Sequence, residues 1–187
     1  MDQVTDERKV EPEPPRSIVS LDIATLGDED IGMVVGVGIS TPRGTVSVVG
    51  YDEKAALDFV LKHLAIGGGM HAGHDVLVTW GGSITIPFIH RRMVAYGLES
   101  PFTGTLLPDG GWSWKVGTAE VVDLHNSSSK RITDSVYIPH TLRGFASMIL
   151  GPYPTPTPGA TQRLEELYLN ALVIAMVGNR LQYMQDV

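Results

Sequence analysis

The sequence predicts an α/β fold: a mixed sheet with helices on both faces. Two observations carry the prediction. Three apolar, β-rich runs follow one another from Ser17 onward with only short turns between them, a pattern of antiparallel pairing. After the third run, strand-like segments alternate with segments of helical periodicity, which calls for parallel strands joined by crossover helices.

Each element has its own justification. Ile18 to Ile23 is the first strand, and it delivers Asp22 to the strand's end. Beyond the acidic turn Gly27-Asp28-Glu29-Asp30, "IGMVVGVGIST" is apolar throughout and reads as a long central strand. Pro42-Arg43-Gly44 turns the chain into "TVSVVG", the third strand. Leu57, Val60, Leu61 and Leu64 then recur at helical spacing, with Asp52 as N-cap and Gly67 to Gly69 as the stop. "DVLVTW" follows a helix and is expected to lie parallel to the first strand. "IPFIHRRMVAYGL" is a second helix entered through Pro87. Glu99 to Gly117 is a glycine-rich excursion, a small hairpin carrying alternating Trp112 and Trp114.

"AEVVDLH" is the fifth strand, and Ser127 to Pro139 a loop. In "TLRGFASMILG", Leu142, Phe145, Ala146 and Ile149 share one helical face. Pro152 to Pro158 is expected to be a rigid linker. A last helix, from about Thr161 to Met184, has Leu164, Leu167, Tyr168, Ala171, Ile174 and Ala175 as its stripe. The expected sheet therefore has five strands, in one domain over residues 17–187. Residues 1–16, charged and proline-bearing, read as a disordered lead.

Composition excludes several classes. The 187 residues fit one sizeable core, and 43% hydrophobic with 19% charged residues describes a globular chain. No apolar run approaches the roughly 20 residues of a membrane span, so no membrane partner is expected. The lack of an export segment points to the cytoplasm, or to a host cell's interior for a viral source. Without cysteine there is neither disulfide nor thiolate zinc site. A net charge of −7 argues against a broad basic surface for duplex DNA but says little about one groove.

Several segments together resemble the DnaQ-like (DEDD) 3′–5′ exonucleases of the ribonuclease H-like fold, over nearly the whole chain from Ser17 to Tyr183. "VSLDIATLG" is similar to that family's first motif, a strand ending Asp-x-Glu. "DVLVTWGGSITIPFIHRR" is similar to the second, a strand followed by Asn-Gly, Phe-Asp and a Pro-Phe helix start. "VVDLH" and "TLRGFASMILG" resemble the fifth strand and packing helix, and "EELYLNALVIAMVGNRL" the last helix, which in the family presents an aspartate beside a Tyr or His. The resemblance implies two divalent ions about 4 Å apart holding a scissile phosphate, Mg²⁺ or Mn²⁺ in a cage of four carboxylates. Two of those acids share one strand because residues two apart point the same way.

This chain departs from the family at most of those positions. Asp22 matches the first aspartate, but Ala24 stands at the glutamate. Gly81, Ile84 and Thr85 replace the Asn, Phe and aspartate of the second motif. In the last helix, counting four from Tyr168 gives Leu172, whereas a shifted alignment gives Asn170. The expectation is therefore a degenerate site that requires no cofactor, with Mg²⁺ or Mn²⁺ relevant only to residual activity. An active exonuclease with Ala24 as a substitution, and a scaffold binding a protein partner or a second copy, are the competing readings.

The remaining candidates divide between chemistry and bland roles. Asp123, with His125, stands at the end of the fifth strand as a metal ligand or an ordinary strand exit; both readings stay open. Asp28, Glu29 and Asp30 read as a solvated turn, and His71, His74 and Asp75 lack a third fixed ligand. No Gly-x-Ser-x-Gly elbow accompanies Ser127 to Ser129, and Gly36-Val37-Gly38 lies inside a strand without the helix a dinucleotide loop needs. Arg91, Arg92, Arg143 and Lys130-Arg131 are candidate phosphate contacts or solvated faces. Trp112 and Trp114 are a candidate stacking platform for single-stranded DNA or RNA, or a protein-contact patch; Trp80 reads as core.

Overall fold

The computed structural model describes residues 17–27, 32–64, 75–126, 141–156, 158–159 and 161–183. The expectations on the acidic turn, on Gly67 to Gly69, on His71 and His74, on Ser127 to Arg131 and on residues 1–16 lie outside them. The elements are β1 (Ser17–Leu26), β2 (Met33–Thr41), β3 (Gly44–Val49), α1 (Glu53–Leu64), β4 (Asp75–Thr79), α2 (Gly82–Ala95), β5 (Phe102–Leu106), β6 (Trp112–Val116), β7 (Ala119–Asp123), α3 (Leu142–Leu150) and α4 (Gln162–Tyr183).

The fold is α/β, a mixed sheet in the order β3-β2-β1-β4-β7-β6-β5 flanked by helices. β1 pairs antiparallel with β2 and parallel with β4, which pairs parallel with β7. The sheet has seven strands rather than five. The excess is the tryptophan hairpin, which joins the sheet because Lys115 and Val116 of β6 pair with Glu120 and Ala119 of β7.

Alternation along the strands assigns the two faces. Val19, Leu21 and Leu77 face α1 and α2, packing with Leu57, Val60, Ile86, Ile89 and Met93. Ile18, Val76 and Val78 face α3 and α4, with Phe145, Ile174 and Val177. Many of these side chains are fully buried, and each such Leu or Ile contributes about 1.5–3 kcal/mol.

Two helix starts position the functional edge. Asp52 caps α1 as expected, its Oδ1 accepting from the Ala55 N–H at 3.0 Å. α2 begins earlier than Pro87 suggests. Gly81 takes φ 74° at its N-cap without a side-chain cap, and Asp123 of β7 supplies the missing acceptor: its Oδ2 accepts from the Ser83 N–H at 3.0 Å. Pro87 therefore sits inside the helix.

α4 lies unusually close to the sheet. A Cβ on Gly38 would stand 2.2 Å from the Leu167 carbonyl oxygen, and one on Gly36 2.5 Å from Leu167 Cδ1. The Gly36-Val37-Gly38 run thus makes room for a helix. Ser20 Oγ donates to the Ala171 carbonyl across the same contact. Leu167, Ala171, Ile174 and Ala175 form the buried stripe as expected, but Leu164 and Tyr168 are 37% and 40% exposed.

Candidate functional site

Asp22 has the same parity along β1 as Ile18 and Ser20, so it faces α4. The close approach enforced by Gly36 and Gly38 brings the helix's polar residue down onto it. Asn170 Nδ2 donates to Asp22 Oδ2 at 2.9 Å. On its other side Asn170 Oδ1 accepts from the Tyr153 hydroxyl. The Arg143 guanidinium lies over the Tyr153 ring, 5.3 Å from its centroid. A chain of contacts therefore runs from the sheet out to a cleft of about 250 Å³ between α3, the segment after it and α4. Arg143, Tyr153, Glu166 and Asn170 are its polar walls; Leu142, Pro156 and Leu169 are apolar ones.

Electrostatics follow from this packing. Burial pushes the Asp22 carboxyl up to about 6, with the hydrogen bonds from Asn170 and the Ile23 N–H only partly opposing it. Burial, together with the nearby Asp22 charge, pushes the Tyr153 phenol up to about 12. Tyr153 is thus a neutral hydroxyl whose proton is committed to Asn170.

The sequence candidates are distributed unevenly around this centre. Asp22 and Asn170 are brought together. Ala24 lies two residues along the same strand with no polar group, just before a register shift against β2. Tyr168 is not part of the site: two helical positions from Asn170 means roughly 200° around α4, and it is exposed. Asp123 is in register with Thr79 and Leu21, so it faces the opposite side of the sheet from Asp22. Its carboxylate is also committed to α2, accepting from the Gly81 and Ser83 N–H groups, besides the His125 N–H, each at 3.0 Å. That cap removes it as a metal ligand beside Asp22. Thr85 belongs to the first turn of α2 on that same opposite face, its N–H bonded to the Gly81 carbonyl.

Arg92 is not a phosphate contact. Its Nε and Nη2 grip Glu53 at 2.9 and 2.5 Å, and Glu53, 2% exposed, also accepts from the Val34 N–H at 2.7 Å. Burial opposes ionisation of Glu53, yet Arg92 and Val34 outweigh it and hold its carboxyl below the usual range. The pair ties α1, α2 and β2 together. Arg91 is exposed on α2. Trp112 is 59% exposed and stacks on half-buried Trp114 with centroids 5.9 Å apart, both indoles resting over Gly104. Trp80 packs against Phe145 and His125 as core.

The residues missed in the sequence are Tyr153 and Glu166. Tyr153 lies in the proline-rich segment expected to be a linker, where Pro156 is in fact buried in the cleft wall. The available signal for Glu166 was its position one helical turn before Asn170.

The donor set does not fit a pair of divalent ions. Two ions need several hard anionic oxygens; among the described residues this centre offers Asp22, already bonded to an amide N–H, and Glu166 on the cleft wall, too few for two ions. Among the described residues no three His, Cys, Asp or Glu side chains converge. In comparisons with known proteins, no family model matches this sequence and no curated sequence matches it significantly.

Proposed function

We propose that this chain is a catalytically silent, ribonuclease H-like domain of the DnaQ-like exonuclease type that binds single-stranded nucleic acid without cutting it efficiently. The observation that carries the reading is the Asn170–Asp22 hydrogen bond. Within β1, which runs on to Leu26, an amide meets the carboxylate at a place where a second carboxylate and a metal would be needed for hydrolysis. The order β3-β2-β1-β4-β7, with β1 between an antiparallel and a parallel neighbour, supports the fold assignment.

The silent reading has an electrostatic rationale. Each carboxylate missing from the cleft spares a strand phosphate that passes outside it, about 5 Å away, roughly 1–3 kcal/mol of repulsion, so a strand needs no metal to approach. Among the described residues Arg143 is the cation lining the cleft, with Glu166 the carboxylate in the same wall. The test is gel retardation in EDTA of unpaired and duplex oligonucleotides, DNA and RNA, across a salt series. Retardation of single strands, weakening with salt, is expected; no retardation at low salt overturns the reading.

One observation favours a second reading, a protein-interaction scaffold. Leu106 and Trp112, paired directly across the β5–β6 hairpin, are 61% and 59% exposed. On that reading Trp112→Ser abolishes partner or self-association and single strands are never retarded.

A further inference from the structure

The cleft between α3 and α4 has a mixed lining that a phosphate does not suit. Among the described residues its one cation, Arg143, is answered by the Glu166 carboxylate in the same wall, and Asp22 lies behind Asn170. A dianion entering there meets as much negative as positive charge. A neutral, planar ligand meets something better. The Arg143 guanidinium carbon lies 5.3 Å from the Tyr153 ring centroid, a contact with the π system that spends none of its N–H groups on an acceptor. Glu166 Oε1 accepts one N–H from Gln162, at 3.1 Å, and with two lone pairs on each carboxylate oxygen both Oε1 and Oε2 keep acceptor capacity. Leu142 and Leu169 supply apolar surface for ring faces, and a volume of about 250 Å³ admits a single heterocycle with its sugar.

We propose that this cleft holds one unpaired nucleobase, guanine in preference to the other bases, with Glu166 accepting from its N1–H and N2–H₂ edge and Arg143 donating to O6 and N7. Guanine alone among the bases offers adjacent donors on one edge and two adjacent acceptors on the other, the complement of an Arg and a Glu facing one space. The proposal rests on the single-strand reading for the source of the base. It differs from that reading in naming a base rather than the backbone as what the cleft recognises.

The test titrates the full chain calorimetrically with guanosine, adenosine, cytidine and uridine, and with inorganic phosphate as competitor. Guanosine is expected to bind at least about tenfold more tightly than the others, because a matched bidentate contact discriminates by roughly that factor or more. Phosphate is expected not to displace it. Glu166→Gln should erase the guanosine preference and Arg143→Ala should weaken guanosine by about tenfold, while thermal melts show both variants folded. Equal binding of the four nucleosides, no nucleoside binding, or displacement by phosphate overturns the proposal. Retarded single strands without guanosine preference sink this inference and leave the single-strand reading standing. Guanosine bound without retardation of any strand does the reverse and marks a free-nucleoside pocket.

Discussion

At the scale of single residues, Asp22 and Arg92 carry opposite lessons. Asp22 titrates near 3.8 when exposed and at about 6 in the fold, so the native state binds more protons than the unfolded chain between those values. Stability from this group therefore falls as pH rises from about 4 to about 6, and the loss is complete above. That displacement is worth at most about 3 kcal/mol, reduced by whatever water reaches a half-buried carboxylate. Asp22→Asn keeps an acceptor for Asn170 and removes the charge. Urea melts should show it more stable than the parent at pH 7.5, by about 1–2 kcal/mol, and level with it at pH 4. A less stable variant at pH 7.5 would mean the ionised carboxylate is favourably solvated or ligated. Glu53 runs the other way: its lowered carboxyl contributes stability above its ordinary value that is lost on acidification, and comparing the two proteins at each pH cancels it. Arg92→Met leaves Glu53 buried with its charge unanswered. The expected cost is about 2–4 kcal/mol in denaturant melts with strand retardation unchanged at temperatures where the variant is folded. Selective loss of binding with normal stability would return Arg92 to the interface.

At the scale of elements, the site exists because α4 can lie almost on the backbone of β2. A methyl on Gly38 meets a carbonyl oxygen, which no rotamer change can move. Gly38→Ala should therefore displace α4, cost about 2–4 kcal/mol, and separate Asn170 from Asp22, flattening the pH dependence attributed to Asp22. Unchanged melts would mean α4 shifts freely. Helix and strand identities were legible in the sequence because their apolar periods are clean: α1's cap and stripe, β2's unbroken apolar run and the buried core of α4 all stand as read. What was not legible depended on partners distant in sequence. The start of α2 is fixed by an aspartate 40 residues later, and the tryptophan hairpin becomes part of the sheet only through its pairing with β7. Tyr153 was hidden for the same reason: proline spacing describes a stiff segment but not the surface it lies against.

At the scale of the whole molecule, the two faces of the sheet hold different chemistry. Asp22 and Asn170 share one face; Asp123 and the start of α2 occupy the other, and strand parity keeps them apart. The sequence read Asp22, Ala24, Thr85 and either Leu172 or Asn170, beside Tyr168, as one degenerate constellation; of these the fold brings Asp22 and Asn170 into contact, with Thr85 on the other face and Tyr168 exposed. It could not show that Asp123 was spoken for, because a strand-end aspartate looks the same whether it caps a helix or awaits a metal. The same geometry predicts how to build a cation cage. Ala24→Glu with Asn170→Asp would put three carboxylates around one space, and Mn²⁺ should then raise that variant's melting temperature by several degrees while leaving the parent unmoved. Stabilisation of the parent by Mn²⁺ would contradict the donor-set argument. The most direct test of the silent-nuclease claim is to follow 5′-labelled single-stranded DNA and RNA with the parent protein, in Mn²⁺ and in EDTA. Full-length substrate in every lane is the predicted result. Metal-dependent shortening from the 3′ end, abolished by Asp22→Asn, would contradict it and establish Asp22 as a working ligand.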